Sequence, residues 1–129
     1  TDVTEELEGL SLTRYAEAVK AEGGYIVPGC NLPLHLHPLL TETDIYGHGS
    51  PTRQHFARRD ITQPKGSLPV SEGIGRKVYG IPWLIRFYPE LIEEHANAYR
   101  KVAENYKELL ADDPGDPETM GGWSQTFAK

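Results

Sequence analysis

Two histidines lie one residue apart in the proline-rich segment Asn31-Leu-Pro-Leu-His35-Leu-His37-Pro-Leu39. Because a proline biases the residue before it away from the helix, we predict that residues 30–40 are extended. On an extended strand, side chains at i and i+2 point to the same face, so His35 and His37 would share one. A neutral imidazole offers one hydrogen-bond donor and one acceptor, which is suited to the recognition of substrate hydroxyl groups.

Two other interpretations of these histidines remain open. In one, the imidazoles are structural and form hydrogen bonds with the backbone. In the other, the chain is a small metal-binding protein, because His-x-His is the spacing of some metal sites in β-sheets. Such a site needs one or two further ligands, and the nearest candidates are His48, Asp44 and Glu42.

A long polar segment, residues 41–67, follows the histidines and is rich in Gly, Pro, Thr, Ser and charged residues. A loop of this length is uncommon in a compact domain, and it is usually either functional or disordered. It carries His48 together with Arg53, Arg58 and Arg59. Guanidinium groups bind phosphate or carboxylate well, so the segment is a candidate for binding an anion, the alternative being that these charges are solvated.

The composition excludes several classes of protein. A net charge of −6 and a pI of about 5.3 argue against nucleic-acid binding, which needs a surplus of basic residues. The single cysteine, Cys30, cannot form an intrachain disulfide, and no apolar run approaches the roughly 20 residues that span a bilayer. We therefore expect a soluble, cytoplasmic chain. Its start at Thr1 rather than at methionine leads us to expect a fragment of a longer protein.

The order of the elements predicts an α+β fold with a small sheet covered by helices. Ser11 is a suitable N-cap for a first helix, which Gly23-Gly24 would end. Apolar residues at helical spacing predict a last helix from about Pro89 to about Leu110. Between them we predict a strand at Tyr25–Val27, a helix from Leu68-Pro69 to about Tyr79, and a strand end or turn at 80–83. We divide the chain into an acidic lead-in (1–10), a domain (11–112) and a tail (113–129).

The sequence resembles the C-terminal part of the DegT/DnrJ/StrS family of pyridoxal-phosphate-dependent sugar aminotransferases, most closely the members that act on keto-cyclitols such as scyllo-inosose. The resemblance spans roughly residues 11–110. The blocks that carry it are Ser11-Leu-Thr-Arg-Tyr-Ala-Glu-Ala-Val-Lys-Ala-Glu-Gly23, Gly29–Leu39, Leu68-Pro-Val-Ser-Glu-Gly-Ile74, Ile81-Pro82-Trp83 and the last helix.

The resemblance implies the small α+β C-terminal domain of a fold type I aminotransferase, with an antiparallel sheet covered by helices. It implies an N-terminal domain that holds pyridoxal phosphate, a homodimer, and an amino group transferred to a keto-sugar or keto-cyclitol. No lysine of this chain stands in the family's Schiff-base motif, so we expect neither a cofactor nor catalysis in this chain alone. Substrate recognition is its expected role, and the residues implied are His35 first, then Asn31, His37 and His48.

Overall fold

The computed structural model describes residues 3–118 and 120 of the chain. Within them it shows a small α+β protein with one two-stranded antiparallel sheet, in which Val27 pairs with Gly80 and Pro28 with Tyr79. The α-helices are α1 (Val3–Glu6), α2 (Leu12–Ala21), α3 (Pro38–Thr41), α4 (Thr52–His55), α5 (Pro69–Gly73) and α6 (Pro89–Glu104), and the strands are β1 (Val27–Pro28) and β2 (Tyr79–Gly80). Three 3₁₀ helices lie at Leu34–Leu36, Ile74–Arg76 and Tyr106–Asp112.

The chain forms two compact units. Unit 1 contains the residues up to Asn31 and those from Ile74 onward, and unit 2 is Leu32–Gly73. Helices α1, α2 and α6 and both strands therefore belong to unit 1, whereas α3, α4 and α5 belong to unit 2.

The core of unit 1 is built on α2, as its sequence predicts. The hydroxyl of Ser11 accepts a hydrogen bond from the backbone N–H of Arg14 at 3.0 Å, which is the N-cap arrangement. Gly23 adopts a φ of +83° directly after the helix, a conformation that glycine takes without a Cβ clash. The apolar side of α2 between these two ends packs against residues from both ends of the chain. The buried residues of this core are Leu7, Leu10, Leu12, Tyr15, Ala16, Val19, Ile26, Val102 and Met120.

Carboxylates from residues 113–116 complete the N-terminus of α2. Asp113 accepts hydrogen bonds from the backbone N–H and the hydroxyl of Ser11, and Asp116 accepts them from the N–H groups of Leu12 and Thr13. The first N–H groups of a helix have no partner within the helix, and an anion there also interacts favourably with the helix dipole. This part of the predicted tail therefore stabilises α2. Burial opposes ionisation of Asp113, but the hydrogen bonds from Ser11 outweigh it and lower the pKa of this carboxyl group.

The last helix is shorter than predicted. It begins at Pro89 as expected but ends at Glu104, and the 3₁₀ helix Tyr106–Asp112 follows. At Asn105 the backbone N–H is shared between the carbonyl oxygens of Lys101 and Val102, and its side-chain amide donates to the carbonyl of Lys101 at 2.7 Å. This competition for helical acceptors explains the change to the tighter helix.

The prediction that residues 30–40 are extended was wrong from residue 34 onward. The structure has the 3₁₀ helix Leu34–Leu36 and then α3, with Pro38 in its first turn. Proline suits that position because its missing N–H would have no helical partner there. His35 therefore lies in the 3₁₀ helix and His37 at the N-cap of α3, so the two do not share the face of a strand.

Two other predicted elements differ in extent. The strand expected at Tyr25–Val27 lies at Val27–Pro28 instead, and the helix expected from residue 68 to about residue 79 consists of α5 and the 3₁₀ helix Ile74–Arg76. The long polar segment contains the short helix α4. In the part of the chain that the structure describes, no helix is both long and apolar enough to cross a membrane.

Candidate functional site

A small pocket lined by both polar and apolar side chains lies within unit 2. Its volume is about 210 Å³, which is below the roughly 300–1,000 Å³ of typical drug-sized ligand sites, so it suits one small molecule. His35 and Arg53 contribute nitrogen groups, and hydroxyl and amide side chains supply further donors and acceptors. The residues that line it are His35, Leu40, Thr41, Arg53, Gln54, Ile61, Thr62, Gln63 and Pro64.

The imidazole of His35 is held by Glu72. The Nε2 atom of His35 lies 3.0 Å from Oε1 of Glu72, and the two side chains are only 6% and 15% exposed. These residues are 37 positions apart in the chain, so the contact brings α5 to the 3₁₀ helix Leu34–Leu36. This contact restricts the orientation of the imidazole ring.

Glu72 also holds the chain that precedes its own helix. The backbone N–H of Gly66 donates to both carboxylate oxygens, at 2.9 and 2.8 Å, and that of Leu68 donates to Oε1 at 3.1 Å. Hydrogen bonds from the N–H of Gly66 and then from the ring of His35 lower the pKa of Glu72. Burial opposes them, and the N–H of Leu68 adds to the lowering. The carboxyl group is therefore ionised at neutral pH.

The ionised carboxylate determines the tautomer of His35. Because an ionised carboxylate only accepts hydrogen bonds, Nε2 of His35 carries the proton that lies between them. In the neutral ring Nδ1 is then an acceptor. His35 can therefore accept a hydrogen bond from a hydroxyl group of a ligand, while the amides of Gln54 and Gln63 offer both donors and acceptors.

Short helices position the other polar groups of the pocket. Pro51 lies at the N-cap of α4, and Arg53 and Gln54 follow within that helix. The side-chain amide of Gln54 donates to the carbonyl of Leu40 at 3.4 Å, which connects α4 to α3. Arg53 is the guanidinium group among the lining residues. Among its described lining residues the pocket therefore combines one guanidinium group with several uncharged hydrogen-bonding groups.

His37 has a structural contact. Its Nδ1 atom accepts a hydrogen bond from the backbone N–H of Leu39 at 3.2 Å, which is an N-cap interaction for α3. Its carbonyl oxygen also accepts from the N–H groups of Leu40 and Thr41. His37 is not among the residues that line the pocket, and its observed role is to begin the helix that supplies Thr41.

His48 lies in an exposed cluster of rings elsewhere in unit 2. Its ring stacks on that of His55 with centroids 4.7 Å apart and planes inclined by 18°. Phe56 contacts both rings edge-on, and the ring centroid of Tyr46 lies 6.2 Å from that of His48. The backbone N–H groups of His48 and Gly49 donate to Asp44, which lowers the pKa of that carboxyl group.

The remaining predicted site residue, Asn31, is exposed and belongs to unit 1. Of the four predicted substrate-binding residues, the pocket thus includes His35 alone. No group of three or more His, Cys, Asp or Glu side chains with the geometry of a metal site occurs among the described residues. Neither His48 nor Asp44 nor Glu42 joins His35 and His37 in such a group.

The residues of the pocket do not fit pyridoxal phosphate. No lysine amine is among the described side chains that line it, although this cofactor is held covalently by a lysine in its enzymes. Its volume of about 210 Å³ would also have to hold the cofactor together with a substrate. We therefore derive no step of chemistry that involves this cofactor from the pocket.

Sequence reasoning missed Glu72 as the partner of His35, although Glu72 stands inside the block Leu68–Ile74 that carries the resemblance. A carboxylate near the start of a short helix is usually attributed to the helix dipole, which hid the longer-range contact. It also missed Thr41, Gln54, Thr62 and Gln63, for which no local pattern gives a signal. Arg53 was recognised as an anion-binding candidate, and the structure places it in the pocket.

Comparison with known proteins identifies no relative of this chain. No family model matches it, no curated protein does, and no solved structure does either.

Proposed function

We propose that this chain is the substrate-recognition part of a pyridoxal-phosphate-dependent aminotransferase that transfers an amino group to a keto-sugar or keto-cyclitol. The observation that carries the proposal is the pocket of unit 2, in which His35, hydrogen-bonded to Glu72, presents an imidazole beside hydroxyl and amide side chains. The resemblance of blocks such as Leu68–Ile74 to the sugar aminotransferases supports the reaction and its cytoplasmic setting.

In this proposal the chain binds and orients the substrate and does no chemistry by itself. His35 accepts a hydrogen bond from a ring hydroxyl, and the amides of Gln54 and Gln63 contact neighbouring hydroxyl or carbonyl groups. A partner domain would hold pyridoxal phosphate, and the cofactor would supply the chemistry of amino-group transfer there. The partners are that N-terminal domain and a second subunit of the homodimer.

Ligand binding by the pocket tests the recognition role directly. We expect scyllo-inosose to bind the chain in isothermal titration calorimetry and to perturb the NMR resonances of unit 2. His35→Phe removes the acceptor at similar ring size. It should weaken binding by about two- to twelvefold, the effect of one hydrogen bond of about 0.5–1.5 kcal/mol. His95→Phe, in α6 of unit 1, is the matched control and should bind as the unchanged chain does.

A second measurement tests the enzymatic setting. The gene product isolated from its natural source should be longer than this chain, carry visible absorbance from bound pyridoxal phosphate, and lose that absorbance on borohydride reduction. A natural product of this chain's mass without the cofactor would contradict the aminotransferase proposal. If such a product still bound the cyclitol through His35, the chain would be a stand-alone polyol-binding module.

A further inference from the structure

Unit 1 exposes several large apolar side chains in the segment between β2 and α6. Trp83 is 95% exposed, Ile85 is 91% exposed and Phe87 is 81% exposed. Single exposed apolar residues are common, but contiguous apolar patches on soluble proteins usually mark interaction sites. Aromatic side chains of this kind are also enriched among the residues that contribute most to protein–protein binding.

A groove in the same unit adjoins this segment. Its volume is about 470 Å³, and Ile81 and Leu84 from the segment line it together with Ile92 and Tyr99 of α6. We call the segment 81–87 and this groove together the apolar face. Because the groove is concave, it can receive side chains that project from another folded surface.

The charges around the groove indicate the chemistry of its partner. Arg100 and His95 line the groove, and no carboxylate is among its described lining residues. Arg100 donates a hydrogen bond to the uncharged amide of Asn97 at 2.9 Å, and Arg86 lies within the exposed segment itself. Among the described residues that line the groove, there is thus a guanidinium group and no carboxylate, on a chain whose net charge is −6.

A second copy of this chain is a poor fit for the apolar face. A two-fold symmetric contact places the same patch on both sides of the interface, so it would bring Arg100 and Arg86 of both copies into one interface. A membrane surface is also a poor fit, because a bilayer offers no projecting side chains to fill a concave groove. A protein surface with apolar side chains and neighbouring carboxylates satisfies both the shape and the charge.

We propose that the apolar face is the docking surface for another protein domain, whose contact element presents apolar side chains flanked by Asp or Glu. The carboxylates pair with Arg100 and Arg86, while the apolar side chains enter the groove beside Ile92. The identity of this partner as the cofactor-holding domain rests on the proposed function, whereas its chemistry follows from the apolar face alone.

A pair of synthetic peptides tests the proposal. One is an amphipathic helix with Leu and Phe on one face and Glu beside them, and the matched peptide has Lys in place of each Glu. In a Trp123→Phe chain, Trp83 is the remaining tryptophan, and its emission should shift to shorter wavelength when the face is covered. We expect the Glu peptide to bind at least about tenfold more tightly than the Lys peptide, because opposite charges flank the contact.

Charge reversal at Arg100 provides the decisive variant. Arg100→Glu should invert the preference between the two peptides, and Ile85→Ala, which alters an exposed side chain, should weaken both without changing the thermal unfolding temperature. Fluorescence anisotropy of labelled peptides reports binding for either variant. Equal binding of the two peptides, or a preference that Arg100→Glu leaves unchanged, would overturn the proposal.

Two further outcomes would also overturn it in favour of another occupant. A shift of Trp83 emission that grows with chain concentration in the absence of peptide would indicate self-association. A shift with phosphatidylserine vesicles but with neither peptide would indicate a membrane. Titration of the same sample with scyllo-inosose reports on unit 2 separately, so failure of the docking proposal is distinguishable from failure of the proposed function.

Discussion

Glu72 is the residue on which the organisation of the pocket depends. It accepts hydrogen bonds from the ring of His35 and from the backbone N–H groups of Gly66 and Leu68. One carboxylate thus orients the proposed ligand-binding imidazole and also fixes the chain before α5. Because Glu72 acts through His35, it is a positioning residue.

Glu72→Gln tests this positioning role. The amide has nearly the same size but no charge, so its bonds to His35 and to the backbone weaken. We expect the affinity for scyllo-inosose to fall by about three- to tenfold, the effect of about one hydrogen bond, and the NMR signals of the His35 ring nitrogens to change as the Nε2–H tautomer loses its ionised partner. Glu42→Gln, an exposed substitution in the same unit, is the matched control.

Two outcomes distinguish this role from a structural one. A lower unfolding temperature with unchanged affinity and unchanged ring-nitrogen signals would show that Glu72 only stabilises the fold. Recovery of the affinity in Glu72→Asp would support positioning by a carboxylate, since the shorter side chain keeps the charge.

The His-x-His spacing was informative for His35 but misleading for His37. The His-x-His spacing correctly drew attention to His35, which lines the pocket. The same spacing suggested that His37 shares its face, but a 3₁₀ helix and the N-cap of α3 separate the directions of the two side chains. Prolines favour an extended chain only on average, and Pro38 here begins a helix instead.

At the scale of elements, α2 and α6 pack closely because a glycine lies between them. A Cβ atom on Gly24 would lie 2.7 Å from Cγ1 of Val19 and 3.1 Å from the Cβ of Ala98. Val19 is completely buried and Ala98 is buried as well, so neither has space to move. The approach of the two helices at this point requires a residue without a side chain.

Gly24→Ala should therefore destabilise the protein. Overpacking of a filled core typically costs about 1–3 kcal/mol, and urea denaturation should show this loss in the free energy of unfolding. Gly73→Ala is the matched control, because nothing lies within 4 Å of its added methyl group and alanine is favoured over glycine in a helix such as α5. Equal stability of the two variants would show that α2 and α6 can separate without cost.

At the scale of the whole molecule, stability depends on pH at both extremes. Tyr15, Tyr79 and Tyr99 form a ring cluster in unit 1, with centroids 5.7–6.4 Å apart. Burial raises the pKa of Tyr15 and of Tyr99 to about 12 each, and the neighbouring tyrosines add to the effect. At the acid end, hydrogen bonds lower the pKa values of Asp113 and Glu72.

At alkaline pH the protein is expected to become less stable. A tyrosine whose folded pKa is raised stabilises the protein fully below its unfolded value of 10.0, and this contribution is lost as the pH rises through about 12. We expect the free energy of unfolding to fall over this range, by about 2 kcal/mol for Tyr15. Urea denaturation at stepped pH should show a smaller fall in Tyr15→Phe, whereas an equal fall in both chains would contradict the assignment.

At acid pH the stability is expected to fall as the pH decreases. Carboxyl groups with lowered folded pKa values stabilise the protein above their ordinary values and lose this contribution as the pH falls through the lowered ones. Asp113 joins the C-terminal part of the chain to α2, and Glu72 holds the pocket of unit 2. Acid is therefore expected to weaken each unit at a contact between distant parts of the sequence.

The sequence alone determined the elements whose causes are local. The N-cap at Ser11, the apolar spacing of α2, the glycine at its end and the start of α6 at Pro89 were all predicted, and the structure confirms them. Capping and helical periodicity act within one or two turns, so a single chain segment contains the information. The α+β class follows from the order of such elements.

The tertiary structure decided everything that joins distant residues. Glu72 meets His35 across 37 positions and Asp113 meets Ser11 across 102, and no local pattern specifies such pairs. The exposure of Trp83 and Ile85 is also a tertiary fact, because apolar residues are buried or exposed according to what the rest of the chain places over them. The pocket and the apolar face arise from these long-range arrangements, which is why sequence reasoning identified His35 and Arg53 separately but not the pocket that contains both.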